Sequence, residues 1–371
     1  MATENKNINF LRGIPATESL LRIKEAVAQG YHQAIMNYGS EVLQYGHFNG
    51  FLPLRQVLAE LHGVHPDQVI AGNGGMEVIS LLFKSLPKGS IVAVEEATYD
   101  RVLSDISRYG LKAVGIPLTS EGLDVDVLKN LITKNSMALF YGIPFHQNPV
   151  GMTYSSENVR QVNKICSDNN VLCAWDICYW QLRYDGQVNQ LIDFSEPHGP
   201  ILFNSFTKTI APGTKCGYCI ASKKMVETLT PIIANTRLNP NLPTQAFIAD
   251  FIKSGGFEAH LTYLAELYRP RMETLNREMA DKFPEIKRAE VTGGFFLGFW
   301  LPGIKDDRAF VSAAEAAGLH ITSSKSVFAP NILDQVKDQG FYLRIPYPAL
   351  NPDDLAQGMT ILRRVYSQFV N

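Results

Sequence analysis

Short runs of aliphatic and β-branched residues recur along this chain, and between them lie stretches whose apolar positions fall three and four apart. Val69–Ala71, Ile91–Val94, Ala113–Ile116, Met137–Ile143, Val171–Trp175, Ile201–Phe203 and Gly217–Ala221 read as buried strands. Glu77–Leu86, Arg101–Tyr109, Val125–Leu131 and Glu157–Asn169 read as the intervening helices. Strands that alternate with helices predict an α/β unit with a mainly parallel sheet and helices on both faces. After Asn239-Pro240-Asn241-Leu242-Pro243 the pattern changes. A long helical region runs to about Phe283, then Gly294–Leu301, Gly318–Ile321 and Phe341–Ile345 read as strands of a second, α+β unit. Pro15 to Leu61 precedes the first unit as an arm and a lead-in helix. The expected division is residues 1–40 as an N-terminal arm with part of the small domain, 41–240 as the large domain, and 241–371 as a linking helix and the small domain.

With 371 residues the chain is long enough for two or three domain-sized units. A hydrophobic fraction of 46% against 19% charged describes a well-buried globular protein. The net charge of -2, without long runs of one sign, favours neither nucleic acid nor an acidic membrane surface as partner. The stretch from Met1 to Asn9 lacks the apolar core of a signal peptide, and no apolar run approaches the roughly 20 residues of a membrane span, so a soluble, cytoplasmic protein is expected. Cys166, Cys173, Cys178, Cys216 and Cys219 do not suggest a disulfide framework. Cys216-Gly217-Tyr218-Cys219 spells C-x-x-C, but the odd separation within a strand-like run points the two thiols to opposite faces.

Open parallel sheets bind ligands beyond the carboxyl ends of their strands, which directs attention to the residues after each run. Gly72-Asn73-Gly74-Gly75 leads straight into a helix, where free backbone N–H groups and the helix dipole suit a phosphate. A dinucleotide fingerprint would need glycine at position 77 and meets Glu77. Tyr99 could cover a flat ligand, and the turn from Pro144 to Gly151 offers the amide of Asn148. Asp176 ends a very apolar strand and needs a cationic partner there. Lys208 lies just past another strand, within Ser205-Phe206-Thr207-Lys208-Thr209, where a lowered pKa would let its amine form a Schiff base. Singly, the glycine loop reads better as a tight turn and Tyr99 as a packing ring, while Asp176 reads equally well as half of a structural salt bridge and Lys208 as a solvated lysine. Together, the cradle, ring, amide, carboxylate and lysine are what pyridoxal 5'-phosphate requires.

From about Phe10 to Val365 the chain resembles a fold type I pyridoxal-phosphate enzyme of the class I/II aminotransferase family, near the 2-aminoadipate and MocR-like group. The resemblance is carried by Arg12-Gly13-Ile14-Pro15, Tyr45-Gly46 with Gly50 and Leu54-Arg55, Gly72-Asn73-Gly74-Gly75, Gln147-Asn148-Pro149-Val150-Gly151, Asp176 with Tyr179, Ser205-Phe206-Thr207-Lys208-Thr209, and Leu343-Arg344. It implies a seven-stranded, mainly parallel sheet in the large domain. It implies that Lys208 holds the cofactor and later moves a proton, that Asp176 pairs with the pyridinium nitrogen, that Asn148 and Tyr179 bond the ring oxygen, and that Tyr99 stacks on the ring. The backbone of Gly74, Gly75 and Met76, the Ser205 hydroxyl and Lys215 would bind the phosphate, completed by Tyr45 from the partner of a homodimer. Arg344 would grip the substrate α-carboxylate, and Gly13 would lie over the bound substrate.

Three departures from the family pattern stand out. Lys215 stands where an arginine is usual and Gly75 where a side-chain donor is common, both of which reduce the expected grip on phosphate. His146 and Trp175 are unusual flanks that could line a changed substrate pocket. The resemblance implies amino-group exchange between an L-amino acid and a 2-oxo acid in amino acid metabolism. The same cofactor also supports elimination, replacement or cyclisation. MocR-like regulators carry a DNA-binding module ahead of such a domain, and the ten or so residues before Phe10 do not fit one.

Overall fold

The computed structural model describes residues 7–134, 136–192 and 199–370. Most of the polar start of the chain, Met1–Lys6, lies outside the described residues. In chain order the principal elements of the first half are α1 (Thr17–Tyr38), α2 (Leu52–His62), β1 (Val69–Gly72), α3 (Gly75–Ser85), β2 (Ile91–Glu95), α4 (Asp100–Arg108), β3 (Lys112–Ile116), α5 (Val125–Lys134), β4 (Met137–Gly142), α6 (Ser156–Asp168) and β5 (Leu172–Asp176). There follow β6 (Ile201–Ser205), β7 (Gly217–Ile220), α7 (Lys223–Arg237), α8 (Leu242–Lys253), α9 (Gly256–Lys282), β8 (Phe296–Leu301), α10 (Asp307–Ala316), β9 (Phe341–Pro346) and α11 (Pro352–Phe369).

The seven strands read from the apolar runs form one sheet in the order β1-β7-β6-β5-β4-β2-β3. All run parallel except β7, which pairs antiparallel with both β1 and β6. The sheet is buried on both faces because alternate residues of each strand enter different apolar layers. Ile70, Val94, Tyr141, Ala174 and Phe203 lie in one layer, with α3, α9, β8 and β9. Ala71, Ala93, Phe140, Trp175 and Leu202 lie in the other, with α2, α6 and α8. Cys216 and Cys219 fall in opposite layers, as their odd spacing predicts.

Helix starts follow side-chain chemistry. Ser155, Ser222 and Asn241 each accept a hydrogen bond from a first-turn N–H of α6, α7 and α8. The start of α3 is different: its cap is Gly74 at φ 118°, and no side chain closes it.

Three features differ from the periodicity reading. Between Pro15 and Leu61 there are two principal helices, α1 and α2, in place of one. The long helical region after Pro243 is two helices, broken where Gly255 takes φ 75°. Helix α7 was not anticipated. Helix α1 packs chiefly on α8, whereas Ile8–Asn9, just before it, pairs in parallel with Leu319–His320. Strands β8 and β9 form a separate antiparallel pair, with Gly298 opposite Arg344.

Candidate active site

A cavity of about 450 Å³ opens at the carboxyl ends of the parallel strands. Of the residues singled out from sequence, Gly13, Gly74, Gly75, Met76, Tyr99, Asn148, Asp176, Tyr179, Ser205, Lys208, Lys215 and Arg344 line it. They come from the ends of β1, β2, β5 and β6, from the loop after β4, from the N-terminal arm and from β9. Tyr45 does not line the cavity and is 76% exposed.

Asp176 is buried at the end of β5. The strand alternation that sends Trp175 to one layer turns Asp176 to the other, where Tyr141 of neighbouring β4 projects. Tyr141 donates its hydroxyl to Asp176 Oδ2 at 2.9 Å, and the Cys178 N–H donates to Oδ1 at 3.1 Å. Among the described residues Asp176 has no cationic partner. Burial raises its pKa, partly opposed by these hydrogen bonds. The described residues do not supply the cation that the sequence reading calls for, which fits a ligand bearing a ring N–H⁺.

Lys208 follows β6 in a tight turn and donates from Nζ to the Gly13 carbonyl at 2.9 Å. Its ammonium lies 5.1 Å from the centroid of the Phe295 ring. Burial lowers its pKa, with a further push from the Arg344 charge against an opposing effect of Cys178. An amine in such a setting is easier to hold neutral, which is the form that attacks an aldehyde.

At the start of α3, Gly75 faces Ser205 of β6. Ser205 Oγ donates to Thr207 Oγ1 at 2.7 Å, so two hydroxyls converge beside the uncapped helix end. Lys215, exposed in a left-handed turn at φ 49°, has no ion-pair or hydrogen-bond partner among the described residues. The crowding here explains the local glycines. A Cβ at Gly217 would stand 2.5 Å from Gly75 N and 2.6 Å from Gly74 C, and one at Gly75 would stand 3.2 Å from Ser205 Cβ. The donor set of bare N–H groups, two hydroxyls and one free lysine suits a phosphate.

Arg344 on β9 donates to Asn148 Oδ1 at 2.9 Å, and its guanidinium stacks 4.5 Å from the Phe296 ring centroid. The remaining N–H groups of this rigid fork suit a carboxylate. Tyr179 is buried against Phe295 and Phe296, with ring centroids at 5.9 and 6.3 Å. Tyr99 caps the start of α4 and is half-buried.

The expectation that His146 or Trp175 lines the pocket is corrected. Neither reaches the cavity. Trp175 donates Nε1–H to Asn163 Oδ1 at 2.7 Å and packs edge-on to Phe140 and Tyr154. His146 is fully buried against Gly293 and Gly294, its Nε2 3.0 Å from Asn189 Nδ2. Burial drives its pKa down to about 3, so it is a neutral packing residue.

Sequence reasoning missed Tyr141, Thr207 and Glu95. Tyr141 had a signal in its alternation with Phe140, which turns it toward the face of Asp176. Glu95 had none. It is wholly buried at the end of β2 and accepts four hydrogen bonds, from Ile143 N at 2.8 Å, Gln147 Nε2 at 2.7 Å, Tyr154 Oη at 2.8 Å and Thr98 Oγ1 at 2.8 Å. It therefore joins the loop carrying Tyr99 to the loop carrying Asn148.

The chain is 25% identical over 336 residues to an aromatic-amino-acid aminotransferase of Thermococcus litoralis, covering 87% of this chain and 80% of that protein. It is 24% identical to the 2-aminoadipate transaminase of Thermus thermophilus, over 96% of this chain and 89% of that protein. The fold is shared with the kynurenine aminotransferase of Pyrococcus horikoshii at a TM-score of 0.90 and 23% identity, over 99% of this chain and 92% of that one. The family description that matches residues 5–361 is aminotransferase class I and II. With nearly its whole length matched and a cavity lined by Lys208, by a buried carboxylate without a cationic partner among the described residues and by an uncapped helix start, the chain belongs to the class I and II aminotransferases, which are pyridoxal-phosphate enzymes.

Proposed function

We propose that this aminotransferase exchanges the amino group through Lys208, with Asp176, Asn148, Tyr179, Tyr99 and Arg344 holding cofactor and substrate about it. The observation that carries this reading is Asp176, a buried carboxylate with no protein cation among the described residues, in the same cavity as a buried lysine of lowered pKa. When bound, the cofactor supplies an electron sink for the pair released from the substrate α-carbon.

Asp176 would keep the ring nitrogen protonated, with Tyr141 keeping Asp176 oriented. Tyr99, Asn148 and Tyr179 would hold the ring, and Gly74, Gly75, Met76, Ser205 and Lys215 would take the phosphate, with Tyr45 arriving from a second subunit. Arg344 and Asn148 orient the substrate carboxylate so that the α-hydrogen faces Lys208. Lys208 Nζ would then take up the proton from the substrate α-carbon, a task its lowered pKa favours because the free amine must be neutral to accept it. The arm at Leu11–Ile14 closes over the cavity and excludes water, with the Gly13 carbonyl in reach of Lys208.

A homodimer is supported by the exposure of several large apolar side chains in the segment around Tyr45: Met36, Leu43 and Leu52 are 67%, 66% and 48% exposed. Among the described residues no helix is long and apolar enough to cross a membrane, and a cytoplasmic role in amino acid biosynthesis fits this reading. A large cofactor-binding unit over 41–240, flanked by an arm to residue 40 and a small unit from 241, accommodates the same arrangement. The test is a half-reaction. Mixing the cofactor-loaded protein with a panel of L-amino acids should convert the cofactor to its amine form with one equivalent of 2-oxo acid. K208A should do neither, and turnover without an oxo acid acceptor would refute simple transamination.

A further inference from the structure

Glu77 lines the cavity in the first turn of α3, at the position where a dinucleotide fingerprint would have had glycine. A carboxylate there is unexpected, because it competes with a phosphate for the same helix end and repels a dianion. Its contacts explain its presence. Oε2 accepts the Asn73 N–H at 2.6 Å and Oε1 accepts Asn73 Nδ2–H at 3.1 Å, which ties the glycine loop back onto the helix. The Asn73 side-chain oxygen in turn accepts the Asn241 N–H at 2.9 Å.

Arg237, the last residue of α7, pairs with the same Glu77 Oε2. Its second nitrogen donates to the Ala71 carbonyl at 2.9 Å and to the Phe48 carbonyl at 3.3 Å, and the side chain is only 7% exposed. Gly72 makes room for the pair. A Cβ there would stand 2.7 Å from both Arg237 Nη1 and Glu77 Oε2. Thus the first glycine of the loop serves the ion pair, not the ligand.

We propose that Glu77 and Arg237 act as one positioning unit for the phosphate cradle: Glu77 fixes the loop, and Arg237 cancels the charge that Glu77 would otherwise present to the phosphate. This rests on the reading of that cradle as the phosphate site. The cancellation matters more here because Lys215 is a single point charge where a forked guanidinium would bind more strongly. Arg237 does not line the cavity. It shapes and neutralises the group that does most to hold the loop, and through Phe48 it also anchors the segment that follows Tyr45.

The test measures equilibrium affinities of pyridoxal 5'-phosphate and of pyridoxal, which lacks the phosphate, for wild type, E77Q, R237A, R237K and R237A/E77Q. R237A is expected to weaken pyridoxal phosphate by about tenfold or more, given a like charge within a turn of the site, and to change pyridoxal by less than about twofold. Adding E77Q to R237A should restore part of the loss, since the glutamine removes the charge but keeps only one of the two acceptors for Asn73, and R237K, which keeps the charge, should retain the wild-type preference for the phosphorylated ligand. The ratio of the two affinities is internal to each protein, so a general loss of folding does not mimic the result. Equal weakening of both ligands by R237A, no weakening at all, or a double variant no better than R237A would overturn the proposal. A wild-type protein that binds pyridoxal as tightly as pyridoxal phosphate would instead remove the phosphate site itself, and the proposal with it.

Discussion

Glu95 offers the sharpest quantitative test of how the site is held. Burial raises its pKa from 4.5 to about 7, even though four donors oppose the shift. An acid with a raised folded pKa binds more protons when folded than when unfolded, between these two values. Its contribution to stability is therefore fully present below about 4.5 and is lost as the pH rises through about 7. At about 1.4 kcal/mol per pH unit the whole interval is worth about 3 kcal/mol, of which about 2 kcal/mol falls between pH 5.5 and 8. The perturbation is E95Q. Whichever way the amide is turned, its NH₂ faces a donor, either Gln147 Nε2–H or the Ile143 N–H, so the substitution carries a cost of about 1–3 kcal/mol at every pH. What it removes is the pH dependence. Urea unfolding of both proteins, at matched concentration and cofactor loading, gives the stability difference at each pH. Other titrating groups are common to the two proteins and cancel. Wild type should lose about 2 kcal/mol relative to E95Q on going from pH 5.5 to 8. A difference that stays constant across that interval would refute the argument that the carboxylate is protonated at low pH within its four-donor nest.

Three other outcomes follow from particular contacts. R344K keeps the charge but loses the fork shared between Asn148 and a substrate carboxylate, so kcat/KM should fall about 10- to 100-fold, mainly through KM, while the cofactor absorbance stays unchanged. A fall in kcat alone would contradict the assignment. G217A forces a Cβ against backbone atoms of Gly74, Gly75 and Asn204, which cannot swing aside, and should cost about 1–3 kcal/mol together with cofactor affinity, read by thermal unfolding and by cofactor titration. His146 titrates with the opposite sign to Glu95: burial lowers its pKa from 6.5 to about 3, so its contribution is present above 6.5 and is lost as the pH falls toward 3. The stability advantage of wild type over H146N should shrink by about 2 kcal/mol between pH 7 and pH 5, as measured by urea unfolding.

Much of this molecule was legible in the chain because the relevant signals are local. Seven apolar runs marked the seven strands of the sheet, since a strand buried on both faces needs apolar residues at consecutive positions. Strand ends then located Asp176, Asn148 and Lys208, because in an open parallel sheet ligands bind beyond the carboxyl ends. Cys216 and Cys219 were separated correctly by the strand period alone. Tertiary structure decided what depends on residues far apart in sequence. Glu95 meets Gln147 52 positions away, and Glu77 meets Arg237 160 positions away, distances over which no periodicity carries information. The same limit explains the error over His146 and Trp175, whose place beside motif residues suggested the pocket. Their backbone positions turn them into packing, His146 against Gly293 and Gly294 and Trp175 into the opposite layer from Asp176. The sequence by itself thus determined which strands form and which chemistry gathers at their ends. Only the folded chain decided which buried charges hold that chemistry in place, because a buried charge is set by the partners that surround it in space.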